Sequence, residues 1–121
     1  MDINKNILSI DKEQLLDYLA TNFLVAMPEE IIDYRAMQEA GRLLIKLSSF
    51  YSYMCGLYAY ARIRTRDAKR TLSKEEYEDL VDKKEIISSF CDAIKQQYNA
   101  ISRAVTIKIK NDEELKMLGE I

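Results

Sequence analysis

Apolar residues recur at helical spacing along most of this chain. From residue 11, Leu15, Leu16, Leu19 and Phe23 share a face, and Asp11 with Gln14 three residues later forms a capping box. The pattern predicts a helix over 11–26, after a loose arm formed by the first nine residues. Met27-Pro28 stops it, because proline disfavours helical geometry in the residue before it. Pro28 also suits the first turn of a second helix, where Glu29 and Glu30 complement the dipole.

The second helix is predicted over 29–70. Met37, Leu44, Tyr51 and Tyr58 lie seven apart, as do Ala40, Leu47, Met54 and Ala61, and Ala36, Leu43, Phe50 and Leu57. Three apolar positions per heptad give a stripe wide enough for a helical bundle. Ser73 with Glu76 is a capping box that opens a third helix at 74, carrying Leu80, Ile87, Ile94 and Ile101 seven apart, flanked by Tyr77, Cys91, Tyr98 and Val105. Folding the chain back near residue 72 sets Leu44 by Ile101, Leu47 by Tyr98, Tyr51 by Ile94 and Met54 by Cys91. Apolar meets apolar along the whole length, which predicts an antiparallel hairpin of long helices.

After Arg103 the rhythm changes. Val105, Ile107 and Ile109 alternate with Thr106, Lys108 and Lys110, a period of two suited to a short strand. A lone strand needs a pairing partner, and the other reading is that the helix runs on. Asn111 with Glu114 then resembles the cap of a last short helix with Leu115 and Leu118, stopped by Gly119. The fold class expected is therefore all-α: one helical domain over 1–121, with a short N-terminal helix, a long hairpin to residue 104, and a strand or helical extension at 105–110. A rod about 60 Å long is too elongated for a compact monomer of this size, so a homo-oligomer is expected.

Composition narrows the chemistry. The chain has 121 residues, 48% apolar and 31% charged, with a formal net charge of −2 and no histidine. Histidine-dependent triads and histidine metal sites are excluded, and no Gly-rich phosphate loop is present. No enzyme, metal or cofactor is expected. Cys55 and Cys91 belong to no CxxC and suggest neither a disulfide framework nor zinc, only small apolar groups in helices. Without a leader or a long apolar run, the chain reads as cytoplasmic and not membrane-bound.

The charge is unevenly spread. Arg62, Arg64, Arg66, Lys69 and Arg70 crowd the end of the second helix, and Glu75, Glu76, Glu78, Asp79 and Asp82 open the third. In one reading the runs complement the helix dipoles and neutralise each other, Arg62 and Lys69 reaching Glu76 or Asp79. In the other, Arg66 and Arg70 point outward and the whole run of Arg62, Arg64, Arg66, Lys69 and Arg70 binds phosphate, joined by the ring of Tyr60 and by Lys108 and Lys110. The rings of Tyr53 and Tyr60 are better read as completing a second helix interface, with Gly41, Gly56 and Ala59 as small residues that permit close approach. Arg35, Arg42 and Lys46, with Arg103, form a weaker basic patch at the other end of the hairpin.

The segment FCDAIKQQYNAISRAVTIK, residues 90–108, resembles the small helical recombination mediators of T4-like phages. The likeness rests on Phe90, Cys91, Ala100, Ile101, Arg103, Ile107 and Lys108, and elsewhere on the order of elements. It implies an oligomer that binds single-stranded DNA and helps load a recombinase. The alternative is a helical protein-binding module, such as a phage inhibitor of a host defence complex, with Glu75, Glu78 and Asp82 facing a basic groove on its partner.

Overall fold

The structure, a computed structural model, describes residues 7–28, 31 and 33–119. Three helices follow a short helical stretch at 7–9: α1 (Lys12–Phe23), α2 (Tyr34–Ala68) and α3 (Lys74–Gly119). The first six residues of the expected arm and the expected helix start at Glu29 and Glu30 lie outside the described residues.

α2 and α3 form the hairpin. Between them Leu47, Met54, Leu57 and Ala61 are fully buried with Ile87, Ile94 and Ile101. The turn is closed by the Thr71 and Leu72 amides donating to the Ala68 carbonyl at 3.1 and 3.0 Å. Ser73 caps the start of α3, its Oγ accepting from the Glu76 amide at 3.2 Å. Leu47 and Tyr98 line one shallow hollow, and Arg62 and Lys84 line another. Paired residue numbers therefore sum to about 145, the expected register.

α1 docks along one side of that pair and runs parallel to α3. Lys12 Nζ meets Asp82 at 3.0 Å, and the Gln97 side chain holds both the Val25 carbonyl (3.0 Å) and the Val25 amide (3.1 Å). Phe23 stacks on Tyr53 at 5.1 Å and meets Phe50 edge-on at 5.3 Å. Leu15 and Leu19 are completely buried beneath α1. Lys83, only 5% exposed, donates to the Leu8 carbonyl at 2.9 Å and pairs with Asp79 at 2.8 Å, tying the start of the chain to α3.

Several boundaries differ from expectation. α1 keeps its Asp11 capping box but ends at Phe23 rather than 26, because Leu24 turns extended and Gln97 takes the next backbone groups. α2 is capped by Asp33, whose carboxylate accepts from the Ala36 amide at 2.8 Å, and it ends at Ala68 rather than 70. The strand reading of 105–110 is overturned: these residues are helical, and no strand occurs among the described residues. Helix formation satisfies their amides internally, whereas a single strand would leave them unpaired. Thr106 Oγ1 donates to the Ser102 carbonyl at 3.0 Å, and Lys108 pairs with Asp112 one turn on at 2.8 Å. Asn111 accordingly caps nothing and lies inside α3. A Cβ added at Gly41 or Gly56 meets nothing within 4 Å, so neither glycine serves close helix approach within the described chain.

Two expectations follow from this packing. The Tyr53 hydroxyl is buried with no hydrogen-bond partner, so Tyr53→Phe removes a desolvation cost and raises unfolding stability by about 1 kcal/mol. Burial also raises the Tyr53 pKa above its ordinary value, so the folded state holds this proton more tightly and loses stability as pH climbs past 10; the variant flattens that loss in urea titrations. Lys83→Ala strips the Leu8 carbonyl of its donor and lowers stability by about 2 kcal/mol, read as a lower urea midpoint.

Candidate nucleic-acid interface

A helix turns 100° per residue, so a run of cations cannot all face one way. Arg62, Arg66 and Lys69 project to the side of the hairpin opposite α1, where they line a hollow with Ala59, Ile63, Thr65 and Tyr77. Lys84 of α3 completes it from the other wall. Among the described residues, the carboxylates within ion-pair distance of these cations are exposed neighbours in sequence: Asp67 lies 3.7 Å from Arg66, and Glu85 lies 3.8 Å from Lys84. Pairs so long and so exposed hold little charge in place. Among the described residues, Arg62 and Lys69 have no carboxylate within ion-pair distance.

The acidic run therefore does not neutralise the basic run. Asp82 is taken by Lys12 of α1, and Asp79 by Lys83 within α3. The expected reach of Arg62 and Lys69 to Glu76 or Asp79 is not made, because Glu76 and Asp79 lie on the α1 side of the seam. There Arg64 and Tyr60 line a second hollow with Leu8, Leu72, Glu75 and Glu76. Asp82, one of the three carboxylates expected to face a partner's basic groove, is held instead by Lys12.

The remaining candidates lie apart. Arg70 is exposed in the turn after α2. Lys108 and Lys110 belong to the far end of α3, about 35–50 Å from the hollow at 1.5 Å per residue, and Lys108 is already paired with Asp112. In the weaker patch, Arg42 pairs with Glu39, and Lys46 sits 5.7 Å from the centre of the Phe50 ring. Of the two tyrosines, Tyr53 serves the interface with α1, as the second-interface reading requires.

Lys84 and Tyr77 escaped the sequence reading. Neither belongs to a charge run, and only the fold-back register, which sets Lys84 beside Arg62 and Tyr77 beside Lys69, points to them. The finished site offers four cations, one aromatic ring and an apolar floor. That arrangement can hold phosphates by charge while a planar group rests on the ring. No helix among the described residues is long and apolar enough to cross a membrane. In comparisons with known proteins, no family model matches the chain, and no curated protein or solved structure matches it either.

Proposed function

We propose that this protein is a non-enzymatic accessory protein that binds single-stranded nucleic acid and works as a homo-oligomer. The gathering of Arg62, Arg66, Lys69 and Lys84 around Tyr77, on the side turned away from the acidic run, carries this reading. An acidic chain can bind a polyanion only through such a local patch. The resemblance of residues 90–108 to phage recombination mediators points the same way, and a recombinase is the partner that it implies. The protein-binding alternative through Glu75, Glu78 and Asp82 has less support, since Asp82 is held by Lys12.

Self-association has its own support. α1 ends at Phe23, and its segment is last held to α3 by the Gln97 side chain at Val25, whereas α3 runs on to Gly119. Ile107, Leu115 and Leu118 are all more than half exposed on that continuation. Lys110 and Glu114 lie there one turn apart. In an antiparallel pair of copies, each would meet the opposite charge on the other.

The nucleic-acid reading is tested by fluorescence anisotropy with a labelled oligonucleotide. With four phosphate contacts, affinity should fall roughly 50-fold between 50 and 200 mM salt. Replacing Arg66 and Lys84 together by Glu should weaken binding at least tenfold, while Glu75→Lys with Glu78→Lys should strengthen it. Absence of binding at low salt refutes the reading. Light scattering tests assembly: the native chain should exceed the mass of one copy, and Leu115→Glu with Leu118→Glu should reduce it to one.

A further inference from the structure

The chain has two cysteines, 36 positions apart in sequence, and the hairpin brings them to the same rung of the seam. Tyr51 and Lys95 share a hollow on one side of them, and Arg62 and Lys84 share the next hollow along. Both pairs sum to the same register, and so do Cys55 and Cys91, which fall between them. The two sulfurs are close enough for Cys55 to act electrostatically on Cys91, and Cys55 acts likewise on the Tyr51 hydroxyl. Cys55 is exposed on the face that α1 leaves open, while Cys91 is half-buried against the core. The sequence expectation of two unrelated apolar thiols is thereby replaced.

We propose that Cys55 and Cys91 form a peroxide-sensitive modification site, a thiol pair that closes reversibly into a disulfide between α2 and α3. Hydrogen peroxide, the oxidant, reaches Cys55 first, because that sulfur is open to solvent. The Cys55 thiolate attacks one peroxide oxygen, the O–O bond breaks, and a sulfenic acid forms as water leaves. The Cys91 sulfur then attacks the oxidised sulfur of Cys55, the S–O bond breaks, and a second water departs. Two thiols and one peroxide become one disulfide and two waters; the sulfurs lose two electrons and the peroxide gains them. Burial, with a smaller effect of Cys55 itself, pushes the Cys91 thiol up to about 11, so Cys91 stays protonated at neutral pH and acts as the slower, resolving sulfur.

The link would fix the separation of the two walls of the cationic hollow, Arg62, Arg66 and Lys69 on one helix and Lys84 on the other. It does not depend on what occupies that hollow. Closing the loop between the two positions also restricts the unfolded chain and should raise Tm by roughly 10 °C.

The test treats the full-length reduced protein with stoichiometric hydrogen peroxide, followed by intact-mass measurement, a non-reducing gel and thermal unfolding. The expected product is a single chain that has lost two hydrogen atoms, with a raised Tm that returns to the starting value on adding dithiothreitol. Cys55→Ser and Cys91→Ser should each abolish both changes while keeping the same helical circular dichroism. A disulfide-linked pair of chains, or a single chain that only gains oxygen at Cys55, would overturn the proposal, since either shows that the two sulfurs of one chain cannot meet.

Discussion

The packing of α2 on α3 governs the rest of this molecule. Leu47, Met54, Leu57 and Ala61 interlock with Ile87, Ile94 and Ile101, and none of these side chains retains appreciable contact with water. Burying one such side chain is worth about 2 kcal/mol, and moving each residue into its neighbour's place would swing the stripe about 100° off the seam. The register is thus held by many small, concerted losses rather than by any one contact. It decides which residues of α2 face which residues of α3 over the full overlap of the hairpin.

From that register follow three consequences that no local stretch of chain contains. It leaves one side of the seam for α1, where the Phe23–Tyr53 stack, the Lys83 bond to the Leu8 carbonyl and the Gln97 clasp on Val25 fasten the N-terminal segment. It divides the basic run, sending Arg64 to the α1 side and gathering Arg62, Arg66 and Lys69 with Lys84 on the open side. It also sets the two thiols together on that open side. The open face is short of carboxylates for a related reason: Asp79 and Asp82 are occupied in holding the N-terminal segment in place.

The far end of the hairpin obeys a different constraint. There α3 continues past α1, and Ile107, Leu115, Met117 and Leu118 are each more than half exposed; Ile45 and Tyr34 of α2 are about three-quarters exposed as well. Residues 105–110 show how backbone satisfaction outranks side-chain alternation. Their period of two matches a strand, but an isolated strand has nowhere to place its amides, and a helix entering from residue 104 needs no new nucleus to continue.

The sequence alone determined the helical class, the hairpin, its turn and its register, because the heptads set the facing stripes and the short turn after Ala68 selects one of their alignments. It also supplied the Asp11 and Ser73 caps, which are local side-chain-to-backbone devices. Tertiary structure decided the rest. The ends of α1 and α2 moved inward, since Gln97 and Asp33 are competing partners whose effect depends on where the chain goes next. The partition of the cations, the recruitment of Lys84 and Tyr77, and the meeting of Cys55 with Cys91 all depend on azimuth around a seam. Spacing along one helix gives an angle for each side chain, but only the second helix and the placement of α1 say which angles remain open to solvent.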